Sequence, residues 1–306
     1  MIAGSWNPGI PSDDGRRFTS LGGYDVRPRS HGFERPLDSW QLWGWGSIVV
    51  IFVLFFCLVG PVLPAHQASL AICGIMGVLG ISVITLKIVL GLLPTEDPAT
   101  HGPQLTRRVL ENPRNIPKGR SVCPYCRRWT DVTARHCAVC DKCSDGFDHH
   151  CRWLNVCVGR QNYRSFFAFV SLTLLSLLIV AASSVAATAM CLLETTRCSS
   201  RLRIMYGVAS TEAYAVFTLL LFLYVLVGVA VVGHLWCYHV WLIATGRTTF
   251  SHIEEQRRRK REKREASRNE GAAGSTPQPP RGCCTEVKRR QFKAENQKPP
   301  GTAPFA

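Results

Sequence analysis

Four long stretches of the chain carry almost no charged side chains, and Lys and Arg collect in the segments between them. Trp40 to Leu63 holds no charge at all. At 1.5 Å rise per residue, about 20 apolar residues in a helix cross a ~30 Å hydrocarbon core, so this stretch is long enough to span a bilayer. Trp40, Trp43 and Trp45 open it, where amphipathic rings favour the membrane interface, and Pro61 and Pro64 mark its end. A second stretch runs from Ala68 to Leu92, interrupted only by Lys87 near its end, whose long stem is expected to carry the ammonium to the headgroups. Phe166 to Leu193 and Ala213 to Ile243 complete the set. A single block of this kind reads equally well as a buried core helix. Four of them predict a polytopic membrane bundle.

The segments between and around the spans fix an expected orientation. Five Lys or Arg precede the first span, twelve lie in residues 94–165 and fifteen follow residue 243, whereas the loop 194–212 has three. Basic residues stay on the cytosolic side, so both termini and the long central loop are expected there. The net charge of +15 is then read against an anionic lipid surface. No interleaving of basic and aromatic residues points to nucleic acid, and none is expected as a partner. Arg257 to Arg261 with Lys263 and Arg264 would attract anionic headgroups, or act simply as a solvated tail. Residues 1–39 and 270–306, rich in Gly, Pro and charge, are expected to be mostly disordered. No cleavable signal peptide and no internal repeat are read from the sequence. The expected organisation is a tail at 1–39, two spans in 40–93, a cytosolic cysteine-rich domain at 94–165, two spans in 166–243 and a basic cytosolic tail at 244–306.

Seven of the 14 cysteines fall between Cys123 and Cys157. In a reducing cytosol such a cluster predicts metal ligands rather than disulfides. Cys123-x-x-Cys126 and Cys137-Ala-Val-Cys140 are two knuckles of zinc spacing, and His136, Cys143, His149, His150, Cys151 and Cys157 bring the candidate ligands to ten. A structural zinc takes four Cys or His ligands, so two closed sites would leave a pair free. Spacing alone does not say which ligands go together. One reading makes all ten structural, in a module that only binds partners. The other notes that Asp148-His149-His150-Cys151 sets a carboxylate, imidazoles and a thiol within four residues. A His beside a Cys populates the nucleophilic thiolate, and an Asp orients that His.

These residues resemble the signature of the DHHC protein S-acyltransferase (palmitoyltransferase) family. The likeness continues through Cys151-Arg152-Trp153-Leu154-Asn155-Val156-Cys157-Val158-Gly159 and Asn162-Tyr163-Arg164-Ser165-Phe166. Asp97-Pro98 resembles the family's Asp-Pro-Gly element and Thr248-Thr249 its Thr-Thr-x-Glu element. The resemblance covers roughly residues 40–255. It implies an all-α polytopic membrane protein, with four transmembrane helices and a cytosolic zinc-binding Cys-rich domain between the second and third. It implies one zinc on Cys123, Cys126, His136 and Cys143 and another on Cys137, Cys140, His150 and Cys157. Cys151 is then the nucleophile, His149 the base and Asp148 its partner. The implied reaction passes palmitate from palmitoyl-CoA through an acyl-enzyme on Cys151 to cysteines of membrane-associated proteins, in the endoplasmic reticulum or Golgi.

Three positions depart from the family pattern: Arg152 where Pro is usual, Ser251 where the Glu of Thr-Thr-x-Glu would stand, and Val156 in place of an Asn. Arg152 and Ser251 leave room for an alternative, a catalytically weak zinc-binding membrane scaffold. Cys57, Cys73, Cys191 and Cys237 read as small apolar packing residues, Cys198 has no evident partner, and Cys283-Cys284 beside Lys288 to Arg290 is a candidate acylated anchor.

Overall fold

A computed structural model describes residues 28–63, 66–106, 116–207 and 210–274. Four of its helical segments are long and apolar enough to cross a membrane: Ser39–Val62, Gln67–Leu92, Tyr163–Leu193 and Thr211–Thr245. All four predicted spans are therefore present, and the chain is an integral membrane protein. The first is not a uniform helix. Its α-helical part ends at Leu54 and passes through a π-turn at Phe55–Val59 into a 3-10 turn at Gly60–Val62. The carbonyls this irregularity frees are caught by Tyr206 and Tyr214 hydroxyls on Leu58 and by Ser69 on Gly60. Irregular backbone at membrane depth needs such internal partners.

The third and fourth spans form the most extensive helix pair of the bundle. Leu177, Val180, Ala187, Leu221 and Val225 are buried between them and the first two spans, while Val78, Ile81 and Val227 are exposed to the outside. An apolar outer face is what a lipid solvent requires. At 31 and 35 residues these two helices run to roughly 47–53 Å, well past a ~30 Å hydrocarbon core. Their excess length carries side chains out to the cysteine-rich end.

Between the second and third spans the chain forms three two-stranded antiparallel hairpins, β1 Arg120–Cys123 with β2 Arg128–Asp131, β3 Arg135–Cys137 with β4 Lys142–Ser144, and β5 His149–Cys151 with β6 Val156–Val158. The hairpins are copies of one unit, and they correct the reading that the chain has no internal repeat. Cys123 pairs with Arg128, Cys137 with Lys142 and Cys151 with Val156, the same register each time. Each turn then ends on a residue in the left-handed region, Arg127 (φ 49°), Asp141 (φ 48°) and Asn155 (φ 57°). The step from copy to copy is 14 residues.

Three further expectations change. Residues 28–38, read as part of a disordered tail, are packed. Arg29 N–H donates to the Cys140 carbonyl at 2.9 Å, the Asn155 amide donates to Gly32 and Pro36 carbonyls, and Arg152 pairs with Asp38 at 2.8 Å. Residues 1–27 lie outside the described part of the chain, as do 275–306 with the candidate anchor Cys283-Cys284. Lys87 does not reach toward headgroups; it is buried, 3% exposed, with its ammonium on the Trp153 carbonyl. Cys191 and Cys198 are not independent packing residues but a disulfide, with Cα atoms 5.0 Å apart. It ties the end of the third span to the short helix Thr195–Tyr206, and Cys198 and Leu202 are buried by that closure. Nothing in the sequence pairs them, because one lies inside an apolar span and the other beyond it.

The residues from Glu254 onward form a separate unit, the greater part of the helix Thr249–Gly274. Its described side chains are mostly exposed and mostly charged, with Arg259 on Glu255 and Arg258 on Glu262 one turn apart.

Candidate functional site

The hairpins bring eight of the ten candidate ligands into two closed groups. Cys123, Cys126, His136 and Cys143 form one, Cys137, Cys140, His150 and Cys157 the other, with all ligand atoms of a group within 4.8 Å of one another. In the first, Cys126 Sγ lies 3.4 Å from His136 Nδ1 and 3.6 Å from Cys143 Sγ. In the second, His150 Nδ1 lies 3.4 Å from Cys140 Sγ and 3.7 Å from Cys137 Sγ, and Cys157 Sγ is 3.6 Å from Cys140 Sγ. A zinc tetrahedron with sulfur at ~2.3 Å and nitrogen at ~2.0 Å has edges of about 3.5–3.8 Å. The donor sets therefore fit zinc in type, number and spacing. Cys126 N–H donates to Cys123 Sγ, and Asp141 stands 3.5 Å from the far nitrogen of His136, the outer support expected around a metal ligand. Each group draws its knuckle cysteines from one hairpin and a His–Cys pair from the next, so one metal would staple hairpin one to two and the other two to three.

Hairpin three has no further hairpin to follow it. Cys151 occupies the place that Cys123 and Cys137 hold in their hairpins, but where a second knuckle cysteine would stand the chain has Leu154. The thiol is left outside both metal groups. It is 8% exposed and packs with Leu90, Val158, Phe166 and Val170, at the mouth of the helical bundle.

His149 and His150 are neighbours on β5 and therefore point to opposite faces of the hairpin. His150 enters the second metal group. His149 faces Asp148, with Nδ1 2.7 Å from Oδ2. Asp148 is 2% exposed, and its other oxygen accepts the Thr249 N–H at 2.8 Å. Burial alone would push the Asp148 carboxyl up, but His149 and Thr249 hold it below the ordinary range. Burial likewise works against a charged imidazole, yet Asp148 and Cys151 outweigh it and His149 is pushed up to about 9. The arrangement favours an imidazolium at neutral pH, held between a carboxylate and the Cys151 sulfur.

Sequence reasoning missed the residues behind this pair. His239, from the fourth span, is buried, lies within 4.8 Å of both Asp148 and His149, and stands 3.0 Å from the Tyr163 hydroxyl. Phe166 packs edge-on to both imidazoles. His239 lies inside the apolar stretch of the fourth span, near its end, and nothing in the sequence ties it to the cysteine-rich segment. Thr249 acts through its backbone N–H, which no residue type advertises. The Ser251 departure is absorbed locally: Thr248 and Ser251 exchange side-chain-to-backbone bonds at 3.0 and 3.1 Å, closing the start of the last helix as a capping box. Arg152 is occupied with Asp38 and stacks its guanidinium over Trp40.

Residues 116–256 match the family model described as DHHC palmitoyltransferase. Among curated relatives, the chain is 33% identical to "Palmitoyltransferase erf2" of Emericella nidulans over 54% of this chain and 27% of that protein. It is 33% identical to "Probable protein S-acyltransferase 6" of Arabidopsis thaliana over 43% of this chain and 30% of the relative. A shorter match, 42% identical, links it to "Palmitoyltransferase ZDHHC14" of Danio rerio over 28% of this chain and 16% of the other. The matched part thus spans a third or less of each relative's length.

Proposed function

We propose that this chain, whose residues 116–256 match the DHHC palmitoyltransferase model within a four-span membrane protein, is a protein S-acyltransferase, moving palmitate from palmitoyl-CoA to cysteines of membrane-associated proteins. The observation that carries this reading is the placement of Cys151: a thiol left out of two metal groups, beside an Asp148–His149 pair, on an apolar cluster at the bundle mouth.

Cys151 as thiolate attacks the thioester carbonyl of palmitoyl-CoA. The bond to the CoA sulfur breaks, and the departing thiolate takes the proton held by His149. Palmitate is then a thioester on Cys151. In the second step His149 accepts the proton of an incoming cysteine thiol, the new sulfur attacks the acyl carbon, and Cys151 leaves as thiolate. Asp148 keeps His149 oriented and stabilises its charged form in both steps. Burying a chain at about 0.8 kcal/mol per CH₂ favours a palmitoyl group lying among the helices, against Leu90, Phe166 and Val170.

Zinc would be held by Cys123, Cys126, His136 and Cys143 and by Cys137, Cys140, His150 and Cys157, where it cross-links consecutive hairpins. With four protein ligands in each set, its contribution is to hold hairpin three in place. The asymmetry of Lys and Arg supports a cytosolic location for both termini and the hairpins, and the Cys191–Cys198 disulfide supports an oxidising compartment at the opposite end. The basic last helix would face anionic headgroups, and the membrane would be that of the endoplasmic reticulum or Golgi.

Purified protein incubated with an alkyne-tagged palmitoyl-CoA is expected to acquire label that hydroxylamine releases, and Cys151→Ser is expected to acquire none. Wild-type protein with its zinc retained but no label would replace this reading with a scaffold.

A further inference from the structure

Lys87 is a buried charge inside a span, and this mechanism leaves it unused. An ionisable residue inside a transmembrane helix is costly and calls for a partner. Lys87 sits in the second span, 3% exposed, five residues before that span ends. Its ammonium donates to the Trp153 carbonyl at 3.1 Å and faces the rings of Trp45 at 5.1 Å and Phe169 at 5.8 Å. A carbonyl and aromatic faces together can satisfy a desolvated cation. The first span is shaped around this contact. A Cβ on Gly44 would stand 3.2 Å from Lys87 Nζ and 3.1 Å from the Trp153 ring, closer than ordinary packing allows. Buried Gln41, one turn earlier on the same helix, directs its amide toward the next carbonyl, that of Leu154, at 3.5 Å.

Trp153 and Leu154 belong to the turn that Cys151 opens. The N–H groups of Leu154 and Asn155 both fold back onto the Cys151 carbonyl, at 3.2 and 2.7 Å. In hairpins one and two the corresponding turns carry a second knuckle cysteine, Cys126 and Cys140, in the metal groups. Hairpin three has no such ligand in its turn, and the Trp153 carbonyl is caught instead by Lys87. Leu90, one turn further along the second span, packs in the same cluster as Cys151.

We propose that Lys87 is a positioning residue for Cys151: its ammonium pins the turn of hairpin three to the second span, in the role that a metal plays for the other two turns. This inference rests on the acyltransferase reading. Charge and donor are both required, because an uncharged side chain loses the aromatic faces and an apolar one also loses the carbonyl.

The test is the rate of hydroxylamine-sensitive labelling by alkyne-palmitoyl-CoA in wild type, Lys87→Met, Lys87→Arg and Gly44→Ala, each with zinc content measured. Labelling of wild type but not of Cys151→Ser establishes the underlying reading independently of Lys87. The expected result is a saturating rate lowered about tenfold or more in Lys87→Met, with the half-saturating acyl-CoA concentration changed by less than about twofold. Lys87→Arg should recover most of that rate, and Gly44→Ala should slow it by pushing Lys87 and Trp153 apart. Lys87→Met within about twofold of wild type overturns the proposal. So does an Arg variant as slow as the Met variant, since a purely structural role for the side chain would give that result. If Lys87→Met does not purify as folded protein, Gly44→Ala decides the question, and a wild-type rate there overturns it.

Discussion

Asp148 and His149 hold each other in their charged forms, and that mutual support is measurable as stability. His149 has its folded pKa raised to about 9 from an ordinary value of 6.5. A raised imidazole contributes stability that is fully present below about 6.5 and is lost as pH climbs through about 9. Asp148, held low, contributes stability that is present above the ordinary carboxylate range near 3.8 and lost as pH falls below it. The alkaline arm is the cleaner one to read, because acid also protonates the metal-binding cysteines. The wild-type melting temperature is expected to fall between pH 6.5 and 9.5 more steeply than that of Asp148→Asn, which lacks the partner. Parallel slopes would mean that the pair is not coupled in the folded protein. The same substitution should slow labelling of Cys151 by roughly 10²–10⁴-fold, since an Asn leaves the imidazole in place but no longer stabilises its charge.

The hairpins are too short to be seen as strands in a sequence. Three or four residues give no alternation to count, and their order comes from ligands rather than from an apolar face. The ligands themselves were legible: both four-member groups are brought together with the membership that the family resemblance implied. The repeat was not, for a physical reason. Its third copy replaces the second knuckle cysteine with Leu154, so the pattern of cysteines breaks at the copy that holds Cys151. What persists is backbone conformation, the left-handed residue at Arg127, Asp141 and Asn155. Because each metal group joins consecutive hairpins, the two groups should not be equivalent. Cys157→Ser weakens the group that holds hairpin three, and is expected to lose about one zinc and nearly all Cys151 labelling. Cys126→Ser strikes the group between hairpins one and two, and is expected to lose a similar amount of zinc while keeping a measurable fraction of the label. Zinc by atomic absorption beside a label time course separates the two outcomes, and equal loss of label in both would mean that the hairpins order as one block.

Across the whole molecule, the four spans were legible from apolar length alone, yet the side chains behind the site come from span ends and the segments beside them. Tyr163 lies just before the apolar stretch of the third span, His239 within that of the fourth near its end, and the packed segment 28–38 just ahead of the first. Hydropathy sees where a helix is apolar and does not say which polar side chain on it meets a partner. Segment 28–38 has no periodicity to betray it, because it is held by backbone and side-chain polar bonds, such as those of Asn155 with Gly32 and Pro36. At the far end, the disulfide closes a seven-residue separation between Cys191 and Cys198. A loop of that size is expected to contribute about 2–3 kcal/mol through the unfolded chain. Cys198→Ser should therefore lower the thermal midpoint of the purified protein while Cys151 labels at the wild-type rate. A matching fall in labelling would show that the two ends of the bundle are mechanically linked.

That disulfide and the two metal groups set opposite demands on the surroundings in which the chain matures. Zinc thiolates survive where electrons are plentiful, and a cystine forms where they are scarce. On the topology proposed above, the two lie on opposite sides of the membrane, so each end of the bundle would mature in the surroundings that its cysteines favour. A copy inserted upside down would offer its zinc ligands to oxidants and leave Cys191 and Cys198 as thiols. It would stand to lose metal and cross-link together. On the proposed topology, the oxidation state of these cysteines would therefore report which way the chain was inserted.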